Sequence, residues 1–236
     1  MSATFELRRW VKQRDNPVSD MIYRTVLATR DFSMPVIPGV HQALYHGTRF
    51  VGSAWFGFKR IVWWTPLFQS RLTKPATRLY LEAIPFVMGP VKITIGDHCH
   101  ILGAVTITGR ANGAAPPEFI MGRNCGIGWM TTLAVGRTIR LGDNVRISGR
   151  AFLAGYPGHP SDARARAAGL PDTEEQIGDI VLEDDVWLGT GATVSAGVTI
   201  GKGTIVAAGS VVTKDLPAGV LAAGVPARVI RKLDQE

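Results

Sequence analysis

The chain has 236 residues, 46% hydrophobic and 19% charged, the composition of a folded globular protein rather than a disordered one. Its net charge of +7 points to an anionic partner, while the absence of a like-charge block or a nucleic-acid-binding motif argues against DNA or RNA. Two isolated cysteines, Cys99 and Cys125, form neither a disulfide framework nor a paired zinc motif, and no apolar run has the length of a secretory signal or membrane-spanning helix, so a cytoplasmic setting is expected.

Residues 1–90 read as a basic, aromatic-rich, partly helical extension. Residues 1–75 hold eleven cations and four anions, so this segment accounts for the whole net charge of +7. Within it RFVGSAWFGFKRIVWWTPLF sets Trp55, Trp63 and Trp64 around Lys59 and Arg60, and Pro35, Pro38 and Pro66 break its helices. Aromatics interleaved with cations suit the headgroup layer of an anionic membrane, which predicts peripheral contact through residues 1–75 at the inner face of the cytoplasmic membrane. Packing against the rest of the protein, or across a subunit interface, is the competing use of the same side chains.

From Val91 to Pro217 the pattern is periodic. Ile95, Ile101 and Ile107 stand six apart, as do Met121, Ile127, Leu133 and Ile139; the register then shifts by two to Leu141, Ile147 and Leu153. From Leu182 the hexads are regular: Leu182, Leu188, Val194, Ile200, Val206 and Val212 each open a block. A small or β-branched residue follows four positions later, at Val186, Ala192, Val198, Thr204 and Ser210. A period of six fits neither an amphipathic helix nor an alternating strand, but it fits a short strand and a corner, with three hexads per turn of a parallel β-helix. No hexad buries its apolar side alone, so stacking is compulsory. Residues 154–179 interrupt the period and are expected to leave the coil as a functional or mobile loop. Residues 218–236 are expected to form a short basic helix.

GHPSD, then VWLGTGATVSAGVTIGKGTIVAAGSVVTKDLP, then AAGVPARVIRKL resembles the hexapeptide-repeat acyltransferases, most closely the galactoside and maltose O-acetyltransferases and related glycan-modifying enzymes. The resemblance is close over the C-terminal 80 to 100 residues and looser back to Val91. It implies an all-β fold, a left-handed parallel β-helix, assembled as a homotrimer with active sites shared between neighbours and acetyl-CoA as donor. It places His159 where the family has its general base. Trp187 and Thr190 fall at positions lining the donor and active-site region, Ala208, Thr213 and Lys214 along the groove for the pantetheine arm, and Arg228 and Arg231 near the coenzyme phosphates. No metal is implied. The family's acceptor-side asparagine is replaced by Met130, which points to a different acceptor, such as a polysaccharide or lipid-linked glycan precursor.

Three other readings compete. Serine or amino-sugar N-acetyl transfer uses the same fold and donor. A γ-class carbonic anhydrase would need histidines such as His98, His100 and His159 to converge on zinc. A non-catalytic scaffold would bind partners through its aromatic segment and lack a coenzyme site.

Overall fold

The hexads wind a left-handed parallel β-helix in the computed structural model, which describes residues 2–233. The chain divides into two units, residues 1–53 and 54–236.

In the first unit, α1 (Ala3–Gln13) and α2 (Pro17–Asp31) pair across a short turn. Asn16 sets the start of α2: its side chain accepts from the N–H groups of Val18 and Ser19, while the Ser19 hydroxyl reciprocates on Asn16. Asp20 then holds Arg14 at 2.6 Å and Arg24 at 2.7 Å. A third helix, α3 (Val40–Lys59), runs on into a π-helical turn, Arg60–Trp64, and α4 (Thr65–Gln69). No described helix is long and apolar enough to cross a membrane.

The coil has three faces. Face A stacks Lys92–Ile95, Glu118–Met121, Thr138–Leu141, Ile180–Leu182 and Thr199–Ile200. Face B runs from Tyr80–Leu81 through His100–Ile101, Gly126–Ile127, Arg146–Ile147, Trp187–Leu188 and Ile205–Val206 to Val220–Gly224. Face C runs from Phe86–Met88 through Thr106–Gly109, Thr132–Val135, Phe152–Ala154 and Thr193–Ser195 to Val211–Val212. All neighbours within these stacks pair in parallel, so every period-opening aliphatic lies over its counterpart in the coil below. Leu188, Val194, Ile200 and Val206 are fully buried, and so are the small residues Val186, Ala192, Thr204 and Ser210. Each such aliphatic contributes about 1.5–3 kcal/mol by leaving water.

Three expectations change. The coil begins near Tyr80, not Val91: Leu81, Val87 and Ile93 already stand six apart, and they pair with the coil above. Phe68 belongs to its core as well, and the partly buried Leu72 packs against that core and bridges to Ile93. The two-residue shift at Leu141 is a longer side of the coil, because both Ile139 and Leu141 point inward from one four-residue strand. Finally, the C-terminal segment is no helix. Val220–Gly224 and Ala227–Lys232 form an antiparallel hairpin, reversed at Gly224, whose φ of +106° is closed to most L-residues. Its first strand extends face B.

Candidate active site

Two columns of corners flank face C. The column joining faces B and C carries Gly103, Trp129, Gly149, Thr190 and Ala208 on successive coils. It is laced by backbone bonds such as Arg150 N–H to Trp129 O (2.7 Å), Gly191 N–H to Gly149 O (3.0 Å) and Gly209 N–H to Thr190 O (2.8 Å). The corresponding residues Ala104, Met130 and Arg150 take the left-handed conformation, with φ of 57°, 57° and 61°. The column joining faces C and A holds the loop around residues 110–117, the 154–179 insertion, and Thr213 and Lys214.

This geometry divides the residues singled out from the sequence. Trp187 lies on face B with its indole N–H donated to Ser148 Oγ at 3.1 Å, and Thr190 and Ala208 sit on adjacent corners beside it. Arg228 and Arg231 lie exposed on the outer hairpin strand, Arg231 opposite Leu221 in the continuation of face B. These five share one side of the coil. Thr213, Lys214 and His159 belong to the other corner column, across face C.

His159 is exposed near the start of the insertion. Its carbonyl accepts from Gln176 Nε2 at 3.3 Å, and the same amide donates to Ser161 Oγ at 2.9 Å. The adjacent Asp162 caps α5 (Ala163–Ala167) through the Ala165 N–H at 2.8 Å, so its carboxylate orders the loop. Tyr156 ties the insertion to face C by donating to Thr108 Oγ1 at 3.1 Å. A buried ion pair secures its far end. Arg110, only 4% exposed, donates to Asp172 at 2.7 Å and to Glu174, joining the 110–117 loop to the insertion. Burial opposes the charge on Arg110, but hydrogen bonds to Glu174 and Asp172 outweigh it and hold the guanidinium above its ordinary pKa.

A groove of about 600 Å³ opens on face B and its corner with face C. Thr190 lines it, together with His100, weighed from the sequence only as a zinc ligand, and with Tyr80, Trp129, Arg146 and Ser148, which the sequence did not mark as a site. The sequence signal there was Met130 at the resembled family's acceptor-side asparagine position; Met130 and its neighbour Trp129 are 56% and 55% exposed. His98 is a left-handed corner residue, His100 faces outward from face B, and His159 lies beyond face C, so these three do not converge. Among the described residues no group of three metal-ligating side chains comes together.

Residues 179–214 match the family described as bacterial transferase hexapeptide (six repeats). The galactoside O-acetyltransferase of Escherichia coli is 39% identical over 114 residues, covering 48% of this chain and 54% of that protein. The 2,3,4,5-tetrahydropyridine-2,6-dicarboxylate N-acetyltransferase of Staphylococcus aureus is 36% identical over 94 residues, 40% of this chain and 33% of that protein. The matched stretch thus spans about half, or less, of each relative's length. A solved structure of the Bacillus cereus N-acyltransferase AntD, with dTDP-4-amino-4,6-dideoxyglucose and coenzyme A, superposes with a TM-score of 0.51 at 19% identity over 72% of this chain and 89% of that one. It is a likeness of fold.

Proposed function

We propose that the hexapeptide coil is an O-acetyltransferase that moves the acetyl group of acetyl-CoA to a sugar hydroxyl. The observation that carries this reading is the clustering of Trp187, Thr190, Ala208 and the hairpin arginines on one side of a coil whose sequence matches a galactoside O-acetyltransferase. Small corner residues let a pantetheine arm lie against the backbone, and Arg228 and Arg231 offer cations to its phosphates. His159 takes the proton of the acceptor hydroxyl as its oxygen attacks the thioester carbonyl. The tetrahedral oxyanion, held by a backbone N–H at a corner, collapses to the ester and expels the thiolate, which recovers the proton from the imidazolium.

His159 and the Thr190–Ala208 corners flank opposite edges of face C, so a complete site in this reading combines the base of one subunit with the donor groove of its neighbour, as in a homotrimer. The acceptor is a sugar of a polysaccharide or lipid-linked precursor. Because the similar S. aureus protein is an N-acetyltransferase, amines belong in the acceptor screen beside hydroxyls. Contact with anionic lipid by residues 1–75 is supported by composition: residues 32–81 contain six cations and no acidic residue, and Phe50, Trp55, Phe58 and Trp63 are exposed. Deletion should stop at residue 53, since Phe68 is coil core and Leu72 packs against it. Removing residues 1–53 should lower binding to anionic vesicles, and undiminished binding would dispose of lipid contact by that segment.

The deciding experiment is His159→Ala with transfer and thermal stability measured together. Acetyl transfer should fall by about two to four orders of magnitude while stabilisation by coenzyme A persists. An unchanged rate removes His159 as the base, and a wild-type chain that coenzyme A does not stabilise removes the enzymatic reading.

A further inference from the structure

The outward row of face B contains a gap. Tyr80, His100, Gly126, Arg146 and Trp187 stand in register on five successive coils, and among them only Gly126 lacks a side chain. Neither conformation nor packing calls for glycine there. Its φ lies outside the left-handed region, and an added Cβ would meet nothing nearer than Arg146 Cδ at 3.5 Å. Gly128, two residues on, makes the contrast: a Cβ there would sit 2.4 Å from the Gly149 nitrogen. Strand positions disfavour glycine and welcome β-branched residues, so a glycine that the fold does not require leaves space for something else.

The space it leaves is the floor of the face B groove, and the walls have a distinct chemistry. Trp129 is pinned upright, its indole N–H donated to the Glu82 carboxylate, which also accepts the Gly103 N–H at 2.9 Å. That carboxylate is thereby engaged away from the floor. Tyr80 closes one end, with the Arg60 guanidinium 4.9 Å from its ring centroid. Arg146 closes the other, held by Asn124, and the hydroxyls of Ser148 and Thr190 border the remaining side. An aromatic wall takes the apolar face of a pyranose ring, hydroxyls meet its hydroxyls, and the Arg146 side chain on the lining selects a negative substituent.

We propose that the notch left by Gly126 between His100 and Arg146 is an acceptor subsite for a sugar ring bearing a phosphate or carboxylate. This deepens the sugar-acceptor reading above and rests on it. The test titrates the full chain with glucose 6-phosphate, glucuronate, glucose and inorganic phosphate, following ligand saturation-transfer NMR and tryptophan fluorescence. The two anionic sugars should bind at least about tenfold more tightly than glucose or phosphate alone. Gly126→Val should abolish that binding with the melting temperature and the stabilisation by coenzyme A unchanged; if the valine variant melts early, Gly126→Ser provides the same test. Equal binding of glucose, phosphate binding as tightly as glucose 6-phosphate, no binding of any sugar by the wild type, or undiminished binding by the folded variant would each overturn the subsite. Coenzyme A stabilisation without sugar binding removes the subsite alone. Sugar binding without coenzyme A stabilisation removes the acetyl-CoA reading, overturns the acceptor role and leaves only an anionic-sugar-binding notch.

Discussion

Arg110→Met should loosen the His159 insertion while leaving the coil intact. The Arg110 and Asp172 side chains are each 3% exposed, whereas Glu174 is 64% exposed, so the buried charge of Asp172 depends on Arg110. Without it, the Asp172 carboxylate keeps, among the described residues, only the Asn112 amide at 3.3 Å. Removing one partner of a buried pair costs about 3–5 kcal/mol, chiefly because the other charge is left stranded. At about 1.4 kcal/mol per decade, opening of the insertion becomes two to nearly four orders of magnitude more frequent. The loss falls on the insertion because its opening unstacks no rung, each strand of faces A and C still pairing with its neighbours. Hydrogen exchange read by mass spectrometry should show amides of 155–179 losing protection while those of 186–212 stay unchanged. Acetyl transfer should fall with the first group. Undiminished protection of the insertion, or equal loss through the coil, would refute the reasoning.

Other substitutions test the corners and the acid limits of the fold. Met130→Asn should raise stability by about 0.5–1 kcal/mol, since asparagine tolerates the left-handed backbone that methionine holds at φ 57° with its side chain largely in water; a lower melting temperature would contradict this. Gly128→Ala should destabilise by about 1–3 kcal/mol, because its Cβ would press on the Gly149 backbone, and an unchanged melt would show that the corner yields. Hydrogen bonds from Arg123 hold the Asp143 carboxyl below its ordinary range, so its contribution is full above the unfolded value near about pH 4 and is lost as pH falls through the lower folded value. The difference in melting temperature between wild type and Asp143→Asn should therefore shrink on acidification, and a gap constant down to about pH 2 would refute it. A hydrogen bond to Cys99, followed by burial, pushes the Cys125 thiol well up, so native protein should alkylate at Cys125 far more slowly than unfolded protein at neutral pH.

The repeat was legible because a three-sided coil imposes one physical demand at every sixth position: a side chain that fills the prism at that height. Leu182, Leu188 and Val194 announce it directly, and even the early start at Leu81 and Val87 was present in the spacing, obscured by aromatic neighbours and Pro85. The hairpin was less legible. Its basic, aliphatic stretch also suits a helix, and the reversal depends on the backbone at Gly224.

What the sequence by itself determined was the coil, its interruption between 154 and 179, and the likeness of the C-terminal motifs to hexapeptide-repeat transferases. Those are properties of local period and of residues close together in the chain. Only the tertiary structure decided which corner each residue occupies, since a difference of a few positions along a hexad moves a side chain to another face. It put Thr190 and Ala208 on one edge of face C and His159 beyond the other, buried Arg110 against Asp172 some sixty residues away, and opened a groove where Gly126 leaves its row empty. Stacking converts sequence distance into neighbourhood, and that conversion is written in no single hexad.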